Sequence, residues 1–171
     1  VFEARAVPYS AEELALFNKP ATQLAANPGA AKKPISTLPS GTSSLVASAQ
    51  RHFAAKEFDQ AEQDYLQILR RDENNVYTLA NLAAIQLERG NLDEAEKNVK
   101  KALATAPEDA YSLSILGYVK YRQEKFDDAL DALSRAAKAN PQSAEIQNYL
   151  GVTLSHKGLR GPAETALRKA I

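Results

Sequence analysis

An alanine recurs every 34 residues in this chain, at Ala61, Ala95, Ala129 and Ala163. The surrounding pattern of apolar, small and polar positions repeats in the same register, without insertion, from about Thr42 to the last residue. A constant period of this length predicts an array of stacked packing units, because each unit is too small to bury its apolar face alone. Such an array favours a scaffold that holds another molecule over a closed pocket that performs chemistry.

Each block of the repeat is predicted to fold as two helices joined by a short turn. In the third block, the apolar positions from Leu113 to Tyr121 mark the first helix, and those from Phe126 to Ala136 mark the second. The eighth position of every block is small, which predicts a close approach of the two backbones. The residues at this position are Ala49, Ala83, Gly117 and Gly151. In the last block, Gly161-Pro162 predicts a late start of the second helix, with the proline in its first turn.

The pattern resembles the tetratricopeptide repeat over about three quarters of the chain. The features that match are the period, the Leu116-Gly117 pair of the first helix, the recurring alanine of the second helix, and the closing prolines Pro107 and Pro141. The departures lie in the first and last repeats, at Ser48, Glu73, Gln147 and Arg160. The resemblance implies an all-α fold, a right-handed α-solenoid of four antiparallel helix-turn-helix repeats with a proline-rich N-terminal arm.

The expected domain organisation is an arm followed by four repeats, the last of them truncated. The boundaries are 1–41 for the arm and 42–75, 76–109, 110–143 and 144–171 for the repeats. The arm holds five of the eight prolines, and Ser10 with Glu13 forms a capping-box pattern that predicts one short helix from about Ala11 to Asn18. Because the arm has too few apolar side chains to fold alone, we expect it to dock in a groove, on the end of the fourth repeat, or beside the first repeat.

Composition and motifs argue against an enzyme. The chain has no cysteine, so disulfides and thiolate metal sites are excluded, and its two histidines, His52 and His156, lie three repeats apart. Phosphate-loop, zinc-protease and serine-elbow motifs are absent, so we predict no catalytic residues, no metal and no cofactor. The net charge is zero without a basic stripe for nucleic acid, and no apolar run approaches the ~18–20 residues of a membrane span.

The informative surface is the face of the first helices that lines the concave groove in tetratricopeptide arrays. The resemblance places five of the seven tyrosines on this face. Tyrosine combines a large contact area with a hydrogen-bonding hydroxyl, which suits a binding surface. The predicted peptide-binding residues are Tyr77, Asn81, Tyr111, Ile115, Tyr118, Arg122, Asn148, Tyr149 and Val152. The alternative is that the tyrosines only fill space between adjacent helices.

One subtype of the family clamps the C-terminal carboxylate of chaperones with lysine, asparagine and arginine side chains. When the first three repeats are aligned with that subtype, the clamp positions hold Val46, Gln50, Asn81, Tyr111 and Ile115. Only Asn81 matches, and a shift by one repeat leaves no match. A chaperone-tail clamp is therefore not expected.

The sequence thus predicts a protein-interaction scaffold that binds a peptide or a helix of another protein in its groove. Two alternatives stay open. The array could regulate or target a larger enzyme, such as a glycosyltransferase, or it could assemble with copies of itself through the arm or an open C-terminal repeat. The apolar residues expected at that open end are Leu150, Leu154, Leu167, Ala170 and Ile171. Since the chain starts at Val1 and lacks methionine, we also expect a fragment of a longer protein; the compartment stays open, with the cytoplasm slightly favoured.

Overall fold

The computed structural model describes residues 38–170, which fold into eight α-helices joined by turns and bends. The helices are α1 (Ser43–Ala54), α2 (Phe58–Leu69), α3 (Val76–Glu88), α4 (Leu92–Thr105), α5 (Ala110–Arg122), α6 (Phe126–Ala139), α7 (Ala144–His156) and α8 (Arg160–Lys169). They form four pairs in chain order, each packed side by side, so the all-α solenoid predicted from the period is confirmed. The arm helix predicted over Ala11–Asn18, and the docking predicted for the arm, lie outside the described residues.

We call α1, α3, α5 and α7 the first helices, and α2, α4, α6 and α8 the second helices. Each first helix packs against its own second helix and, from α3 onward, against the second helix of the preceding pair. The first helices α3, α5 and α7 also contact one another across the pairs, so they form the inner layer of the solenoid. No helix of the described region is long and apolar enough to cross a membrane.

This arrangement explains the different burial of the two layers. In α3 every residue from Thr78 to Leu87 is buried, because helices cover it on several sides. In α4 only one stripe is buried, formed by Ala95, Val99 and Ala102. The inner layer therefore holds most of the buried residues of the helices, and α3 leaves little of its surface for contact with a ligand.

The first helices share a capping device. Asn75, Asp109 and Ser143 occupy the last position of their blocks, and each accepts a hydrogen bond from a backbone N–H three residues ahead. Such caps satisfy an N–H that the helix itself cannot, and each is worth about 1 kcal/mol. They set the start of α3, α5 and α7 at equivalent places, which keeps the groove-facing side chains in register.

The second helices begin 34 residues apart, at Phe58, Leu92, Phe126 and Arg160. The expectation that Gly161-Pro162 delays the last helix is wrong, since α8 starts at Arg160, in register with the others. The expectation that Pro162 lies in the first turn of this helix is confirmed. A proline is tolerated there because the N–H that it lacks would have no acceptor within the helix.

The turn inside each pair uses a left-handed residue at the fifteenth block position. Two of these are glycines, Gly90 and Gly158, with φ of 80° and 74°. The other two are Lys56 and Glu124, both with φ of 61°. The four turns therefore have the same backbone shape, although two of them place a side chain where glycine is preferred.

A ladder of polar contacts joins α2 to α3 and α4 to α5. Glu62 accepts hydrogen bonds from Gln86 Nε2 at 3.3 Å and from Arg89 Nη1 at 2.8 Å. One interface further on, Glu96 accepts from Lys120 Nζ at 2.7 Å and from Gln123 Nε2 at 2.9 Å. The ladder is thus built from the same block positions at both interfaces.

In the last interface, Leu130 and Leu154 take the places of the glutamate and its partner. The residues expected to form an open apolar end, Leu150, Leu154, Leu167 and Ala170, are half-buried, and Ile171 lies outside the described residues. Leu159 is the exposed large apolar side chain of residues 38–170. Each of the four half-buried residues therefore keeps part of its surface accessible, and the open apolar end stays a prediction.

Candidate functional site

The groove face is the exposed edge of the inner layer, and we define it by four half-buried tyrosines, Tyr77, Tyr111, Tyr118 and Tyr149. Tyr77 belongs to α3, Tyr111 and Tyr118 to α5, and Tyr149 to α7. Tyr77, Tyr111 and Tyr118 pack against buried core residues, and all four tyrosines keep part of their surface accessible.

Polar contacts order the N-terminal half of the groove face. Gln50 Nε2 of α1 donates a hydrogen bond to the Tyr77 hydroxyl at 2.8 Å. The Tyr111 hydroxyl donates to Asn81 Oδ1 at 3.4 Å, and Asn81 Nδ2 donates to the Tyr77 carbonyl at 2.7 Å. These bonds link α1, α3 and α5 in one row and fix the orientation of two tyrosine rings.

The C-terminal half is an aromatic cluster, which we define as Tyr118, Tyr121, Phe126, Tyr149 and His156. The rings of Tyr118 and Tyr149 are 4.4 Å apart between centroids, and Tyr118 stacks on Tyr121 at 6.1 Å. The Tyr121 hydroxyl lies 2.8 Å from His156 Nε2, and His156 stacks on Phe126 at 5.2 Å. The cluster therefore joins α5, α6 and α7 into one aromatic surface.

Three members of this cluster were not among the predicted site residues. Two of them, Tyr121 and His156, lie on first helices. The signal that could have found them is their block position, since both lie on the face assigned to the groove. Phe126 begins the second helix and is brought to the cluster only by the tertiary packing.

The guanidinium of Arg122 lies over the ring of Tyr118, 5.9 Å from its centroid. This is a cation–π contact, in which the negative face of the ring attracts a positive charge. Because Arg122 is exposed at the end of α5, its side chain is free to exchange this ring for a ligand or for solvent.

Two of the predicted contact residues lie in the core instead. Ile115 is fully buried and Val152 is 4% exposed, so neither presents a side chain to a ligand. The reason is that α5 and α7 are covered on both sides by second helices, which leaves a narrower groove edge than the family pattern implies. Asn81 and Asn148 are each 7% exposed and can support the tyrosines more than they can contact a ligand.

Carboxylates act on two of the groove-face tyrosines. Burial raises the pKa of Tyr111 and of Tyr149, and the nearby carboxylate of Glu145 raises the pKa of both further. Glu88 adds to the raised pKa of Tyr149. The two hydroxyls therefore stay protonated at physiological pH, and the groove face offers neutral phenols beside carboxylates.

No group of side chains within residues 38–170 has the arrangement of a metal site. The remaining histidine, His52, places Nδ1 2.9 Å from Asp64 Oδ2, within the first helix pair and away from His156. What the groove face can do chemically is to bind, through ring faces, hydroxyl groups and the charges around them.

Two family profiles described as tetratricopeptide repeat match this chain, one over residues 52–117 and the other over residues 116–171. The chain belongs to the tetratricopeptide repeat family. Together the two matches cover residues 52–171, which leaves out most of α1 and includes every tyrosine of the groove face.

Solved structures of other tetratricopeptide repeat proteins are similar to this chain. A crystal structure of MamA is 28% identical, with 72% of each chain covered and a TM-score of 0.63. The Sgt2 domain from Aspergillus fumigatus is 22% identical, over 75% of this chain and 87% of that one, with a TM-score of 0.68. The first domain of Spaghetti (RPAP3), bound to the HSP90 peptide SRMEEVD, is 19% identical over 68% and 93%, with a TM-score of 0.64.

The last two likenesses show a shared fold alone. The search of curated protein sequences gives no match.

Proposed function

We propose that this array is a protein-interaction module that binds an extended peptide or a helix of another protein along the groove face. The observation that carries the proposal is the continuous row of half-buried tyrosines across α3, α5 and α7. A related fold, the RPAP3 domain, is bound to a peptide, which supports peptide binding as a use of such an array. The module acts by binding and needs no catalytic step of its own.

The tyrosines are suited to this role because the fold has already ordered them. Tyr77 and Tyr111 are held by hydrogen bonds, and Tyr118 and Tyr149 by ring contacts. A side chain that is rigid before binding loses little conformational entropy when the ligand arrives. Rigid aromatic residues of this kind carry much of the binding energy in protein interfaces.

The proposed contact surface combines the tyrosines with polar neighbours. Arg122 lies at its rim, while Asn81 and Asn148 lie beneath it. The surface therefore consists of Tyr77, Asn81, Tyr111, Tyr118, Arg122, Asn148 and Tyr149, joined by the remaining members of the aromatic cluster. Ile115 and Val152 support it from the core.

The test is a selection of short random peptides on the immobilised protein, followed by measurement of Kd for the selected peptides. Tyr118→Ala is expected to weaken binding by at least about tenfold, the loss typical of a hot-spot aromatic. Because Tyr118 also packs against the core, Tyr118→Leu is the second variant, since it keeps apolar volume but removes the phenol.

The matched control is Leu159→Ala, which removes an exposed apolar side chain away from the groove face. It is expected to leave Kd unchanged. The proposal fails if no peptide is selected, or if the selected peptides bind both Tyr118 variants as tightly as they bind the wild-type protein.

A further inference from the structure

The aromatic cluster already holds a cation of its own chain. Arg122 places its guanidinium 5.9 Å from the centroid of the Tyr118 ring, on a surface that continues to Tyr149. A ring face that attracts this guanidinium can attract the guanidinium or ammonium group of a ligand in the same way. The cluster therefore has the chemistry for a positively charged side chain.

Two acidic residues, Glu88 of α3 and Glu145 of α7, belong to the first helices that pack against α5, the helix of Tyr118. Glu145 is in the first turn of α7, one helical turn before Tyr149, and residues four apart share a helix face. Its charge raises the pKa of both Tyr111 and Tyr149, after the larger effect of burial. Glu88, at the end of α3, acts on Tyr149 from the neighbouring helix.

We propose that the groove selects basic peptides, an inference that rests on the proposed function. The aromatic cluster, together with Glu88 and Glu145, receives a lysine or arginine side chain of the partner. The cation lies against the faces of Tyr118 and Tyr149, and the carboxylates neutralise its charge. Ring faces and carboxylates attract the same sign of charge, so the two effects add.

An acidic ligand fits this surface poorly. Its carboxylates would approach Glu88 and Glu145 and meet the negative faces of the rings. Asn81, which matches the carboxylate-clamping pattern of the family, is 7% exposed and donates its Nδ2 hydrogen to the Tyr77 carbonyl at 2.7 Å. The amide is therefore engaged inside the protein and is not available to hold a terminal carboxylate.

Arg122 acts as an internal competitor for the cluster. Its guanidinium covers one ring face and adds a positive charge where a basic ligand must approach. Its removal is expected to strengthen the binding of a basic peptide, because both the competition and the repulsion disappear. If Arg122 were instead an anchor for acidic ligands, the same change would weaken binding.

The experiment uses the whole chain and the pool of peptides selected on it from a random library. Peptides whose binding is lost in Tyr118→Leu are expected to be enriched in lysine and arginine relative to the library. In such a peptide, the exchange of a single lysine for glutamine is expected to weaken binding by about tenfold.

Glu145→Gln is expected to remove most of this preference for lysine over glutamine. The matched control is Glu164→Gln, which removes the same charge from an exposed glutamate on α8 that pairs with Arg168. The control is expected to keep the preference. Arg122→Gln is expected to strengthen the binding of the lysine peptide by severalfold, and raised salt to weaken it.

The inference is overturned if the Tyr118-dependent peptides are neutral or acidic, or if Glu145→Gln and Glu164→Gln change the preference equally. Either result would leave the proposed function intact, because binding would still depend on Tyr118. If no selected peptide depends on Tyr118, the proposed function fails, and the inference fails with it.

Discussion

Gly117 of α5 lies so close to Leu133 of α6 that an added Cβ would be 2.5 Å from the Leu133 Cγ. The next pair repeats this relationship, with 2.6 Å between a Cβ on Gly151 and the Cγ of Leu167. The leucine of the second helix fills the space that a side chain on the first helix would need. In the last two pairs, the close approach of the two helices thus depends on the absence of one methyl group from the first helix.

Gly117→Ala is expected to lower the free energy of unfolding by roughly 1–2 kcal/mol, because the overpacked leucine outweighs the gain in helix propensity. Gly161→Ala is the control, since nothing lies within 4 Å of a Cβ at that position in α8. It is expected to leave stability unchanged or slightly raised. Urea unfolding followed by circular dichroism measures both, and equal stability of the two variants would contradict the packing argument.

Glu124→Gly tests the left-handed turn between α5 and α6. At φ of 61° a glutamate is strained and a glycine is not, as Gly90 and Gly158 show at the same block position. The exchange is expected to raise the free energy of unfolding by about 0.5–1 kcal/mol. This is the backbone strain that glycine relieves, reduced by the extra conformational entropy that glycine has in the unfolded chain. Glu124→Ala keeps the strain and is expected to give no such gain, so a melting temperature that rises equally for both variants would refute the assignment.

Glu96 links stability to pH. Burial alone would raise its pKa, but hydrogen bonds from Lys100, Lys120 and Gln123 outweigh that effect and lower the pKa to about 2. Since the folded pKa is below the ordinary value of 4.5, the stabilisation is complete above that value and is lost as the pH falls toward 2.

Glu96→Gln is therefore expected to be less stable than the wild-type protein at pH 7, and to approach it as the pH falls from 4.5 to about 2. Glu94→Gln removes the same charge from an exposed position of the same helix and serves as the control. Urea unfolding across this pH range measures the three curves. If the difference in the free energy of unfolding between wild-type protein and Glu96→Gln stayed constant down to the lowest pH, the carboxylate would not be stabilised by these hydrogen bonds.

Much of the fold follows from the sequence because the same contacts between helices recur every 34 residues. The small residue at Gly117 and the alanine of each second helix mark where two helices touch, and a repeated contact repeats in the sequence. The left-handed turns at Lys56 and Glu124 were missed because no glycine marks them. Both residues occupy the block position of Gly90. That position alone indicates the same turn, because equivalent blocks have the same backbone shape.

The candidate site was harder to predict for a physical reason. Block position tells which face of a helix a residue occupies, but not how much of that face its neighbours cover. Ile115 and Val152 occupy groove positions and are nevertheless buried, because second helices enclose the inner layer. Phe126 joins the aromatic cluster from a second helix, a contact that depends on tertiary packing and leaves no mark in the spacing.

The most direct test of the account is a map of amide chemical shifts on adding a display-selected peptide to the isotopically labelled protein. Binding along the groove face predicts that the largest changes cluster around Tyr77, Tyr111, Tyr118 and Tyr149 on the first helices, with little change on the exposed faces of α4 and α6. Changes centred on those second helices, with the four tyrosines unaffected, would contradict it.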